Sequence, residues 1–235
     1  MSVATKDTPA LDDLIVFIDY QNMYKGAREA FGWEHEPGYI GNFRPLALGR
    51  ALASALGGNL VQVRAYTGVP HPEKDALGHA IMQRRLAAWK ADGPTLVEIL
   101  DRTLRYPPRE GREKGVDVQL AVDFVRLAIE GAYKRAILAS CDTDLVPAVE
   151  FVADTYSDIS IFNVGWKASA AATADVAAPL DIPSRRVTRR VMPESFFERA
   201  RDTTNHAKPT THSTTRGEAP GQSGRRLPPG RRKAI

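Results

Sequence analysis

The chain has almost no cysteine. Among its 235 residues only Cys141 carries a thiol, so no internal disulfide can form and no Cys/His cluster argues for zinc. A lone cysteine fits a reducing, cytoplasmic setting. His71, His79, His206 and His212 show no ligand spacing. No apolar run approaches the roughly 20 residues of a membrane-spanning helix, which argues against a membrane partner. The opening MSVATKDTPALDD has no basic segment followed by an apolar stretch, so a secretory leader is not expected. The body also lacks an excess of basic charge. From Arg201 to Ile235 eight Lys or Arg stand against two acids, whereas the first 200 residues hold 24 basic and 26 acidic residues. The net charge of +4 therefore argues for a basic tail that can touch phosphates, and not for a basic groove.

What is present is an alternation of short apolar runs and helical stretches. LIVFID at 14–19 reads as a buried strand, and LVQVRAY (60–66), TLVEIL (95–100), RAILAS (135–140) and residues 158–164 read as four more. Between them, residues 22–31, 44–56, 73–91, 116–129 and 144–154 have helical composition, several of them stopped by Gly. This alternation predicts an α/β fold, a doubly wound, mostly parallel sheet with helices on both faces. Residues 1–12 read as a flexible leader, 13–182 as the folded domain and 183–202 as a basic extension containing SRRVTRR. Residues 203–235, rich in Thr, Ser, Gly, Pro and Arg, read as a disordered basic tail.

In open parallel sheets ligands gather beyond the carboxyl ends of the strands. Two of the expected strands run directly into acids there: LIVFID ends at Asp19, and RAILASCDTD reaches Asp142 and Asp144. Asp117 opens a helix after a basic loop. Singly, Asp117, Asp142 and Asp144 are as readily N-caps or solvated acids. Asp19 raises their value, because an acid after LIVFI has no evident local structural task. Two carboxylates about 4 Å apart repel by roughly 4 kcal/mol at an effective dielectric near ~20, so convergence calls for a cation, a shared proton or a basic side chain. Hard oxygen ligands select Mg²⁺ or Mn²⁺. Such an ion binds a phosphate oxygen, activates a water and stabilises the leaving oxygen, the parts that phosphodiester hydrolysis uses.

IDYQN at 18–22, KGVDVQLAVD at 114–123 and SCDTD at 140–144 resemble, in order and separation, the signature blocks of NYN-domain proteins, a branch of the PIN-like nucleases. ADVAAPL at 174–180 resembles the family's closing segment. The resemblance implies a Rossmann-like three-layer α/β/α fold and a metal-dependent ribonuclease site acting on RNA, with single strands favoured, DNA as a further candidate substrate, and pairing into homodimers. On it, Asp19, Asp117 and Asp142 hold the ion, directly or through water. Asp144 completes the acidic cluster or orients the attacking water, and Asn22 positions a ligand or phosphate. Ser140 hydrogen-bonds a carboxylate, and Lys114 meets the scissile phosphate. The sequence departs from the family pattern at Tyr20 and Cys141, where Gly is frequent.

Arg109 and Arg112, with Arg102, Arg105 and Tyr106 nearby, form a candidate loop for gripping a phosphate backbone. Asp123 and Thr143 are candidates for support. Asp123 lies about 240° around the helix from Asp117, so the two do not share a face, and a structurally paired acid is an equal reading. Trp33, His35 and Tyr39 line a groove or pack on their own domain. Rivals are a binding module that does not cut, and a phosphatase of the haloacid dehalogenase type. The latter expects its D-x-D after the first strand and leaves Asp19 unexplained.

Overall fold

A computed structural model describes residues 12–105, 115–172 and 176–207. Its strands are β1 (Asp13–Asp19), β2 (Asn59–Val69), β3 (Val97–Thr103), β4 (Arg135–Ala139), β5 (Ser160–Trp166) and β6 (Val187–Met192). They form one sheet in the order β3-β2-β1-β4-β5-β6, and every neighbouring pair is parallel. The central strand β1 is buried from Leu14 onward, which is why it reads as a continuous apolar run and not as an alternation.

Side chains of β1 still alternate in direction, and each set feeds its own core. Leu14, Val16 and Ile18 belong to one cluster, with α1 (Tyr20–Phe31), α2 (Pro45–Leu56), α3 (Ala76–Asp92) and α6 (Glu194–Phe197). Ile15 and Phe17 belong to the other, with α4 (Val116–Ile129) and α5 (Val146–Thr155). The result is the expected three-layer α/β/α sandwich of PIN-like type.

The chain runs outward from β1 through β2 to β3, then crosses back to place β4 on the other side of β1. The switch point therefore lies between the carboxyl ends of β1 and β4, where a crevice opens in a doubly wound sheet.

The sheet has one strand more than the five expected. β6 falls in the segment read as a basic extension, and its TRRV pairs alongside β5 as the sheet edge. Its outward Arg189 and Arg190 concealed it, because an edge strand needs only a partial apolar face. Beyond it, Phe197 is fully buried against Phe31, Trp33, Phe43 and Trp166. Residues 203–207, assigned to the tail, are docked as well: His206 is buried, its Nε2 lies 2.9 Å from Asp202 Oδ2, and its carbonyl accepts from Arg84 Nε at 2.7 Å. The rest of the expected tail, 208–235, and most of the expected leader lie outside the described residues.

Candidate active site

Asp19 is the last residue of β1 and the N-cap of α1, where its Oδ1 accepts from the Asn22 backbone N–H at 3.1 Å. The acid thus has a local structural task, contrary to expectation. Its second oxygen does something a cap does not require. Oδ2 accepts from the Ser140 hydroxyl at 3.3 Å, across the switch point. The same hydroxyl oxygen accepts from the Asp142 backbone N–H at 3.1 Å. One fully buried serine therefore joins the carboxyl end of β1 to the loop that follows β4.

Two amides fasten this loop. Asn22 Oδ1 accepts from Cys141 N–H at 2.8 Å, so Asn22 ties α1 to the β4 exit. Asn163, in the middle of β5, donates through Nδ2 to the carbonyls of Leu138 (3.1 Å) and Ser140 (2.8 Å). Its Oδ1 accepts from Leu180 N–H at 2.5 Å, binding the 176–182 segment to the same place. Sequence reasoning passed over Asn163. The signal was an amide inside SIFNVGW, a run otherwise suited to a buried strand, since a buried amide must find partners.

Asp142 is half-buried, and its Oδ1 accepts from Asp144 N–H at 3.0 Å, capping the 3-10 turn Thr143–Leu145. Asp144 and Thr143 are exposed, and Asp144 lines an open apolar groove between α4 and α5 with Val122, Ile129 and Phe151. Asp117 is half-buried in the first turn of α4 and is not its cap, which is Gly115 at φ 80°. Neighbouring Val116 lines a cleft with Tyr66, the β2 residue in register with Asp19. Asp19, Asn22, Ser140 and Asp142 are brought together by direct hydrogen bonds; Asp117 and Asp144 are not joined to them in this way. Among the described residues, no three His, Cys, Asp or Glu side chains form a group that could hold a metal ion. Two carboxylates with water and a substrate phosphate still match how Mg²⁺ is commonly bound. Asp19 and Asp142, linked through Ser140, supply hard oxygen donors of that kind.

Burial, and then the Asp19 charge, push the Cys141 thiol up to about 11, so it stays protonated and is no nucleophile at neutral pH.

Asp123 is only 3% exposed and belongs to a different structure. Its Oδ2 receives Arg64 Nη2 at 3.0 Å and the Tyr66 hydroxyl at 3.1 Å. Arg64, itself buried on β2, also bonds the Tyr66 hydroxyl through Nε at 2.9 Å and pairs with Glu98. Burial raises the Asp123 pKa, yet hydrogen bonds from Arg64, Gln119 and Tyr66 hold it below the usual carboxylate range. Its place is structural, pinning α4 to the sheet. Arg64 in LVQVRAY was the missed signal: a charge inside a buried strand requires a counter-charge.

Lys114, Arg109, Arg112 and Tyr106 lie outside the described residues. Arg102 is engaged with Gln119 of α4 at 2.5 Å. Trp33 packs on Phe31 and Phe197 beneath the Arg201 guanidinium, and so serves its own core. Tyr39 is exposed.

A model of the NYN domain matches residues 13–179. The chain belongs to the NYN domain family. The NYN match spans β1 to β5 and ends before β6, so β6 and α6 are additions lying past it. The NYN family is of PIN-like nuclease type. A solved structure of a protein of unknown function from Vibrio parahaemolyticus is similar at 21% identity, covering 71% of this chain and 89% of that one with a TM-score of 0.43. No curated protein matches. No helix among the described residues is long and apolar enough to cross a membrane.

Proposed function

We propose that this NYN domain is a metal-dependent ribonuclease that hydrolyses phosphodiester bonds of single-stranded RNA at the β1–β4 switch point. The observation that carries the reading is the Ser140 hydroxyl, which links Asp19 to the Asp142 loop across the two central strands. A divalent ion, Mg²⁺ or Mn²⁺, would be held by Asp19 and Asp142, with Asp117 reaching it directly or through water. When bound it supplies charge neutralisation and an acidified water. Ser140 holds both carboxylate-bearing segments at fixed separation. Asn22 and Asn163 keep the β4 exit from moving, so little reorganisation is needed when substrate arrives. As the family resemblance implies, Asp144 would orient the attacking water and Lys114 would meet the phosphate.

The test is manganese-dependent cleavage of a labelled single-stranded RNA by wild type, Asp19→Asn and Asp144→Asn. Cleavage by wild type with a loss to background in Asp19→Asn supports the reading. Equal activity in all three removes it.

One observation favours a second reading, a module that binds nucleic acid without cutting it: no three-acid group stands ready for a metal among the described residues. RNA binding that persists at saturating Mn²⁺ with no product would favour that module.

A further inference from the structure

A second cavity lies next to the acidic residues, over the carboxyl ends of β1, β2 and β3, and nothing in the nuclease reading uses it. It has a volume of about 290 Å³ and is lined by Tyr20, Gln21, Asn42, Gly68, Met82 and Arg85 among others. That volume is at the small end for ligand pockets and suits a single nucleotide unit. Tyr20 and Gln21 directly follow Asp19 in the chain, so the cavity begins one residue from the candidate metal site.

Its polar groups are oddly idle. Tyr20 is 2% exposed, clamped between Phe43 and Trp89, yet its hydroxyl has no hydrogen-bond partner among the described residues. The Phe43 backbone influences the phenol without reaching hydrogen-bond geometry. Arg85 projects from α3 into the same cavity. Its Nε is buried without a partner among the described residues, its Nη1 lies 4.0 Å from Met82 Sδ, and its charge acts on the Tyr20 phenol. Arg64, the buried arginine that faces α4 on the other side of the sheet, has two carboxylates. Among the described residues Arg85 has none, and no acid lines the cavity. Asp202, the nearest acid to act on Tyr20, is itself engaged by His206 and Arg44. A guanidinium edge and a phenol, each buried without a partner among the described residues and each carried by a residue that lines this cavity, call for an acceptor rich in oxygen.

We infer that this cavity is a phosphate subsite. Arg85 and the Tyr20 hydroxyl take the phosphate of the nucleotide flanking the scissile bond and so set the path of the strand across Asp19. The inference rests on the nucleic-acid reading above. Arg85 is here a substrate-binding residue; it does no chemistry.

The test is fluorescence anisotropy of a short fluorescein-labelled oligouridylate on the full chain, with calcium replacing manganese, over a range of KCl. Arg85→Gln is expected to bind roughly tenfold more weakly, the worth of one charge-assisted hydrogen bond. Its slope of log affinity against log salt should flatten by about 0.7, the value for one phosphate on a single strand. Arg85→Lys should restore the slope, and Tyr20→Phe should weaken binding with the slope unchanged. Lys90→Gln, the same loss of charge on the far end of α3, should leave both alone. Each variant's thermal unfolding is measured alongside; Arg85→Lys and Tyr20→Phe keep charge and shape, and carry the test should Arg85→Gln fold poorly. Binding by wild type that is indifferent to Arg85, or equally sensitive to Lys90, overturns the subsite alone. Failure of the wild type to bind RNA overturns the subsite and the nuclease reading together. Arg85-dependent binding without any cleavage in manganese overturns the nuclease reading and leaves the subsite standing.

Discussion

Ser140 is where residue-level chemistry concentrates. Its single oxygen donates to Asp19 and accepts from the Asp142 backbone, so removing it should loosen both of the proposed metal-binding segments at once. Ser140→Ala is predicted to cost roughly 10–100-fold in metal affinity or activity, as loss of a group that orients metal ligands does. A manganese titration of the cleavage rate checks this: the half-saturating concentration should rise while the fold is kept. Asp123 should behave in the opposite way. Removing one member of a buried, hydrogen-bonded ion pair costs about 3–5 kcal/mol, so Asp123→Ala should lower the unfolding midpoint strongly while the manganese dependence of the surviving folded protein stays that of wild type. The acids also mark how far residue types were legible. Asp19 and Asp142 could be picked out because they follow apolar strands. The structural standing of Asp123 was not readable, because its partner Arg64 lies 59 positions away and only the crossing of α4 over β2 brings them together.

At the scale of elements, the strand–helix alternation was readable wherever an element was buried on both sides or carried a clear stop. Gly32 is one such stop. It ends α1 in the left-handed region at φ 73°, and a Cβ there would stand 2.3 Å from the Ala171 carbonyl oxygen. Gly32→Ala therefore adds a backbone penalty of about 1 kcal/mol or more to a clash with main chain. A clearly lower unfolding midpoint, with Asp19 capping undisturbed at the other end of the helix, is the expected result. β6 escaped because its evidence is tertiary. Val187–Met192 carries Arg189 and Arg190, and becomes a strand by pairing with β5 and by the aromatic cluster that follows. Phe197→Ala should cost about 3–5 kcal/mol, the usual loss for a fully buried aromatic ring, measurable by chemical unfolding. The family match ends at residue 179, yet this chain's folding unit extends through α6, so a truncation at residue 182 should expose the edge of β5 and unfold or aggregate.

For the whole molecule, each half of the core has a buried polar pair beside it that responds to acid. At both Asp123 and Asp202 burial works to raise the pKa and is outweighed. Arg64 and Gln119 prevail at Asp123, and His206 with Thr204 at Asp202. A carboxyl held below its unfolded value of about 3.9 contributes stability fully above that pH and loses it as pH falls through the folded value. The unfolding midpoint should therefore fall as pH drops below about 4, and Asp123→Asn should flatten that limb. The same global arrangement, with β1 and β4 adjacent at the switch point, is what lets Ser140 join Asp19 to the Asp142 loop. The claim that this switch point holds a divalent ion is the one from which the chemistry follows. Calorimetric titration of Mn²⁺ into wild type, Asp19→Asn and Asp142→Asn tests it most directly. The account predicts one saturable site in wild type, severely weakened in both variants while their unfolding remains cooperative; equal binding in all three, or none in folded wild type, would contradict it.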